Sequence, residues 1–458
     1  MALRRWQSDC INKALGHFSV EQHFFCQATP GAGKTRMAAE LALKLLEQEK
    51  IDVVICFAPS CQVVEGLQRT FEGILQRPFD GQIGAAGVAL TYQSIEHKDE
   101  SFWRLFKTLR VFAIFDEIHH CSGGDGVQGA NIWGQKIIQQ LQDAAAFTLA
   151  MSGTPWRSDE QSIALARYST PEGRLIVDYR YSLAEAVEEK VCRTPHITLL
   201  DNTEITIEQP GNAQQSYTGF APLLRQSETT FEHLVTHEEV NLQLLELSRQ
   251  RLDSVRRAVP DAAGLVIATN IDHAHQISGL LQRMNESSAV VTTHRTDAND
   301  VINEFRYGTA KWIIAVGMIS EGTDIPRLQV CCYLSRIRTE MYFRQVLGRI
   351  LRRLGVTDGE AWMFMLAEPG LTAFAERLMD DLPEHLAVCE HLHFVSVPGD
   401  TDLNIEAASI ASPAQEAGGN SKEEQPRSRS SDFHEGSGSL LGKLILSGSF
   451  RERLLAFF

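Results

Sequence analysis

The stretch ATPGAGKTRMAAELALKLL, residues 28–46, decides the fold. The β-rich apolar run HFFCQA precedes it and helical periodicity continues through it, so strand, glycine turn and helix follow one another directly. At such a turn the helix N-terminus and successive backbone N–H groups converge on one point, which favours an anion. The backbone of Pro30, Gly31, Ala32 and Gly33 can curl around phosphate oxygens, Lys34 can neutralise a β- or γ-phosphate, and the Thr35 hydroxyl can ligate Mg²⁺. Ala28 stands where the strict pattern has its first glycine, a position that accepts a small residue. Taken alone, the stretch implies a grip on a nucleotide phosphate, a property shared by kinases, transporters and GTPases.

Working outward, short β-rich runs (DVVICFA, GVALTY, VFAIFDE, AFTLAMS) alternate with helical segments. This is the pattern of a parallel sheet covered by helices, and it predicts an α/β domain over residues 1–157. Residues 158–240 are mixed and read as connector and insertion. Alternation resumes at GLVIATN and continues through SAVVTT, KWIIAVG and QVCCYLS to AWMFMLA, predicting a second parallel α/β domain over 241–367. A helical extension is expected over 368–400. Residues 401–458 begin rich in Ser, Gly, Glu and Pro, a composition that predicts disorder, and end in the apolar segment LLGKLILSGSFRERLLAFF.

The chain has 458 residues, 43% hydrophobic, enough for two or three packed domains. Its nine cysteines are scattered through apolar runs and read as buried thiols of a reducing compartment. No apolar run reaches the roughly 18 residues of a spanning helix, and no signal-peptide core follows the basic start, so a soluble cytoplasmic protein is expected. A net charge of −15 argues against a basic surface coat but leaves room for a local basic groove.

A phosphate loop needs a metal partner and a base. VFAIFDEIHH, residues 111–120, is an apolar strand ending in Asp116 and Glu117. Asp116 can hold the Mg²⁺ shell, and Glu117 can orient and deprotonate an attacking water. His119, His120 and Cys121 have no second cluster at zinc-ligand spacing, which argues against zinc.

ATPGAGKT, DEIH, SGTP (152–155) and QVLGRILR (345–352) stand in the order and spacing of the superfamily 2 helicases and translocases, and the set resembles the type III restriction subunit-like branch. The resemblance covers roughly residues 3–355 and implies two tandem RecA-like P-loop domains with parallel sheets and ATP in the cleft between them. It implies roles residue by residue. LRRWQ resembles the adenine-reading segment, with Gln7 bonding the base edge. CFAPS (56–60) and TYQSI (91–95) resemble loops on the nucleic-acid backbone, with Pro59, Ser60, Thr91 and Gln93 the contacts, and VIATN (266–270) supplies Thr269 and Asn270. His119, Ser152 and Thr154 would couple hydrolysis to domain movement. In IIAVGMISEGTDIP, Gly322 would allow close approach and Asp324 would bond the ribose or an arginine. Gln345, Arg349 and Arg352 would reach across the cleft to the γ-phosphate, with Gly348 allowing close packing.

The resemblance thus implies an ATP-dependent motor on nucleic acid, DNA favoured over RNA. The alternative is an ATPase switch or motor subunit of a larger repair, restriction or defence complex without strand separation. No base-reading module is legible, so contacts that are not sequence-specific are expected. The apolar end of the chain could dock on a protein partner as a short amphipathic helix, against the alternatives that it folds back on its own domain or does nothing specific.

Overall fold

The computed structural model describes residues 2–123, 132–155, 161–171, 173–208, 214–292, 297–317, 325–353, 355, 358–380, 388–395 and 443–457. Two helix-covered sheets carry the chain. The first has six strands, all parallel, in the order Gly87–Thr91, Val53–Ala58, Val111–Asp116, Phe147–Ser152, His23–Ala28 and Tyr179–Tyr181. A parallel sheet is buried on both faces, which is why runs such as VVICFA are continuously apolar. On one face Phe57 stacks on Phe115 with ring centroids 5.3 Å apart. On the other, the helix Lys34–Glu47 buries Met37, Ala38, Leu41, Ala42 and Leu45, one apolar stripe at helical spacing. The strand order sets Val111–Asp116, Phe147–Ser152 and His23–Ala28 side by side, so their carboxyl ends deliver the acidic pair, the SGTP turn and the phosphate loop to one edge.

The second sheet has eight strands, in the order Ser288–Thr292, Trp312–Val316, Ala263–Ile267, Leu328–Tyr333, Glu360–Leu366, Thr194–Asn202, Phe450–Phe457 and Val388–Val395. The first six run parallel, as expected for residues 241–367, and two strands from beyond that range extend the sheet in antiparallel pairing. A small antiparallel sheet joins Gln215–Tyr217, Ile205–Glu208 and Lys443–Leu446.

Two stretches depart from the sequence reading. The connector expected over 158–240 gives Tyr179–Tyr181 to the first sheet and Thr194–Asn202 to the second. The end of the chain folds back on its own domain, as a strand and not as a docking helix: residues 450–457 pair with Thr194–Asn202, burying Phe450 and Leu455, with Arg451 salt-bridged to Asp201. That partner strand lies some 250 residues away in sequence, so nothing local announces the pairing. Of the helical extension, Pro369–Asp380 is helix and Val388–Val395 is strand. Residues 401–442, expected to be disordered, lie outside the described residues. Among the described residues no helix is long and apolar enough to cross a membrane.

Candidate nucleotide site between the two sheets

The phosphate loop leaves His23–Ala28 through Thr29, whose carbonyl accepts from the Ala32 N–H at 3.2 Å. Gly31 and Gly33 have φ of +83° and +92°, the left-handed region that glycine enters without strain. The loop is roofed by the other half of the chain. Gly348, on the helix Glu340–Ile350, faces Pro30 so closely that an added Cβ would stand 2.4 Å from Pro30 Cβ. A cleft of about 450 Å³ opens beside this contact, lined by Gly31, Lys34, Thr35, Asp116, Glu117 and Thr154 from the first half. Gln345, Arg349, Arg352 and Arg353 line it from the second.

Glu117 follows its strand in a left-handed conformation, φ +50°, which turns its carboxylate into the cleft. Lys34 Nζ lies 3.1 Å from Glu117 Oε1 and donates at 3.4 Å to the Ala28 carbonyl. The other oxygen, Oε2, accepts from the Ser152 hydroxyl and the Gly153 N–H, each at 3.4 Å. Burial pushes the Glu117 carboxyl upward, but the Lys34 ammonium and then His119 outweigh it and hold the group well below the usual carboxylate range. His119 Nδ1 lies 2.9 Å from Ser152 Oγ and 3.5 Å from Glu117 Oε2. Its Nε2 stands 3.5 Å from Gln345 Nε2, so one imidazole touches both halves. The Thr154 N–H donates to Ser152 Oγ at 3.1 Å. Asp116 is buried, and its backbone carbonyl accepts from the Tyr92 hydroxyl at 2.8 Å.

Of the other expected residues, Pro59 also lines the cleft. Gln7 is buried and spends its amide within the protein, donating to the Gly33 carbonyl at 3.0 Å and accepting from the Arg4 N–H at 2.9 Å. It braces the phosphate loop, and the side chain at the cleft wall is Arg4, which donates to the Ala32 carbonyl at 2.6 Å. Ser60, Thr91 and Asn270 each accept a backbone N–H as the N-cap of the helix that follows. Gln93 is exposed and reaches the Pro59 carbonyl at 3.4 Å, joining two of the expected backbone loops. Thr269 Oγ1 lies 3.0 Å from His273 Nδ1. Gly322 and Asp324 lie outside the described residues. Arg4 and Arg353 are cleft residues that sequence reading left unassigned, although Arg4 sits in LRRWQ and Arg353 directly follows QVLGRILR.

A nucleoside triphosphate with Mg²⁺ suits this chemistry. The loop presents backbone to the cleft, the facing wall is cationic, and Thr154 Oγ1 is buried there with no hydrogen-bond partner among the described residues. Thr35 and Asp116, an oxygen pair on the same cleft, match the taste of a hard cation.

Comparison with known proteins agrees with this architecture. Residues 1–157 match the family described as type III restriction enzyme, res subunit. An uncharacterized protein of Mycobacterium tuberculosis is 29% identical over 402 residues, covering 82% of this chain and 63% of that protein. The chain therefore spans less than two thirds of that relative's length. The DNA 3'-5' translocase XPB2 of Sulfurisphaera tokodaii is 23% identical over 398 residues, 80% of this chain and 82% of that protein. Among solved structures, the ATP-dependent Type ISP restriction-modification enzyme LlaBIII bound to DNA superposes with a TM-score of 0.52 at 15% identity, over 83% of this chain and 30% of that one. At that identity the likeness speaks to fold alone. The resemblance to the superfamily 2 helicases and translocases, type III restriction subunit-like, is borne out, as is the architecture of two tandem RecA-like domains.

Proposed function

We propose that the chain is an ATP-driven motor on nucleic acid, DNA more than RNA, hydrolysing ATP in the cleft between its two RecA-like domains. The observation that carries this reading is that Lys34, Asp116 and Glu117 of one domain and Gln345, Arg349 and Arg352 of the other line a single cleft.

The chemistry follows from the pairings in that cleft. A triphosphate in the loop competes with Glu117 for the Lys34 ammonium. As Lys34 turns to the phosphates, Glu117 loses the charge that suppresses its basicity and becomes able to take a proton from the attacking water. Ser152 and the Gly153 N–H keep its second oxygen fixed meanwhile. Arg349 and Arg352 supply positive charge where negative charge develops on the transferring group. Bound Mg²⁺, held by Thr35 and Asp116, would neutralise phosphate oxygens in the same step. His119, between Ser152 and Gln345, links the carboxylate to the position of the second domain.

Nucleic acid is proposed to lie against Pro59, Ser60, Thr91 and Gln93 on one domain and Thr269 and Asn270 on the other. Ser60 and Asn270 cap helices, so each presents a helix N-terminus, a favourable neighbour for a backbone phosphate. Closure with ATP and opening after hydrolysis then change the spacing of the two grips. The likeness to a protein named a DNA 3'-5' translocase supports a second form of this reading, a motor subunit that moves on DNA without strand separation.

The test is ATP turnover with single-stranded, duplex and forked DNA and with RNA. Stimulation by DNA is expected. Triplex displacement without fork unwinding selects the second form, and no stimulation by any nucleic acid sinks both.

A further inference from the structure

The chain crosses from the first sheet to the second through Cys192 and Arg193, and Arg193 is 0% exposed. Its guanidinium donates from Nη1 to the carbonyls of Leu328 at 2.6 Å and Ile350 at 2.7 Å. From Nη2 it donates to the Pro326 carbonyl and to Asp358 Oδ2, both at 2.9 Å, and from Nε to the Asp358 carbonyl at 3.2 Å. The Arg193 backbone N–H donates to the Leu351 carbonyl at 2.8 Å.

Ile350 and Leu351 are the last residue and the C-cap of the helix that carries Gln345 and Arg349 and leads into Arg352. The final carbonyls of a helix have no partner inside it, and a cation there meets the negative end of the helix dipole. Arg193 answers both needs from outside the helix. The same crossing touches the phosphate loop: Cys192 Sγ lies 3.7 Å from the Pro30 carbonyl, and Cys192 forms an isolated antiparallel bridge with Arg352. Asp358 is itself held, accepting from the Gly355 N–H at 3.0 Å and lying 3.5 Å from Arg353 Nε.

An ion pair with side chains 0% and 2% exposed is a poor source of stability, because desolvation offsets most of the attraction. What the planar five-donor fork of an arginine supplies is fixed geometry. Catalysis by a charge aimed at a transition state is sensitive to displacements of about 1 Å.

We propose that Arg193, oriented by Asp358, is a positioning residue for phosphoryl transfer: it caps the arginine helix from the domain crossing and so sets how far Arg349 and Arg352 reach toward the phosphate loop. The inference rests on the ATP-hydrolysis reading above.

The experiment compares the full chain with Arg193→Lys and Asp358→Asn, below the melting temperature of each. Three quantities are measured: ATP turnover, affinity for ADP, and affinity for ADP with aluminium fluoride, which mimics the transferring group. Expected are ADP affinities within about twofold of the unaltered chain. Turnover and aluminium-fluoride affinity should fall together, by roughly 10- to 100-fold for Arg193→Lys, and less for Asp358→Asn. The double variant should be no worse than Arg193→Lys alone, because the two act as a unit. Unchanged turnover in a folded Arg193→Lys overturns the inference. So does a proportional loss of ADP affinity, turnover and melting temperature, which marks a purely structural role. If Arg193→Lys does not fold, Asp358→Asn decides by the same criteria. An unaltered chain that hydrolyses no ATP overturns the functional reading and this inference with it, whereas turnover that survives Arg193→Lys overturns this inference alone.

Discussion

Gly348 and Pro30 belong to different domains, yet they meet with no room for a methyl group between them. Alanine is the better helix former by roughly 1 kcal/mol, and when the domains part the added methyl meets nothing from Pro30. Gly348→Ala is therefore expected to hold or raise the melting temperature while lowering ATP turnover by roughly tenfold or more, since a displaced helix misplaces Arg349. Calorimetry and steady-state kinetics on one preparation check the opposite signs; equal turnover removes the idea that this contact gates the cleft.

The Lys34–Glu117 pair predicts two variants that fail differently. Lys34→Ala removes both the phosphate contact and the charge that holds the Glu117 carboxyl down, so nucleotide affinity and hydrolysis are lost together. Glu117→Gln keeps the loop and its lysine, so it should bind ATP and turn it over roughly 100-fold more slowly or worse. Equilibrium binding of a fluorescent ATP analogue separates the two, and tight binding by Lys34→Ala would contradict this account.

Acid stability follows from buried imidazoles. His196 stacks on Trp362 with centroids 4.1 Å apart, and burial, with Arg251 adding, lowers its pKa to about 4. Burial lowers His273 to about 4, and His23 shifts the same way for the same first reason. A lowered folded value means the unfolded chain binds more protons, so this stability is complete above the ordinary imidazole value of 6.5 and is lost as pH falls toward 4. At pH 5 each of His196 and His273 should withdraw roughly 2 kcal/mol. Glu117, whose folded value is depressed from 4.5, contributes loss only below that value, so the window from pH 6.5 to 5 reports the histidines. Denaturant melts across that window should show a slope that His273→Gln reduces, and a flat profile refutes the assignment.

Removal of residues 443–458 should harm the second domain and spare the first. It strips two strands from their partners, exposes the edge of Thr194–Asn202 and deletes the Arg451–Asp201 salt bridge. A loss of cooperative unfolding in that half, with self-association through the bared edge, is expected by gel filtration and hydrogen exchange. A truncated chain that melts like the intact one would mean the strand is dispensable.

What was legible in the sequence was what is local. ATPGAGKT and VFAIFDEIHH each carry strand, turn and chemistry within a few residues, so both the elements and their side chains could be read. Gln345, Arg349 and Arg352 came through resemblance, because one helix face does not say what lies opposite. Arg193 was invisible: in VEEKVCRTPHITLL it looks like a solvated cation before a strand, and its acceptors are 133 to 165 residues away. Gln7 was seen but aimed differently, since an amide that suits adenine suits the Gly33 carbonyl equally well.

The eight-stranded sheet has a consequence in time. The first sheet has all six of its strands once residue 181 has been made, and it can fold while synthesis continues. Thr194–Asn202 emerges soon afterwards but must wait for residues 450–457 before its open edge is covered. For most of its own synthesis the second domain is thus a sheet with an unsatisfied flank, in the company of a partner that is already finished.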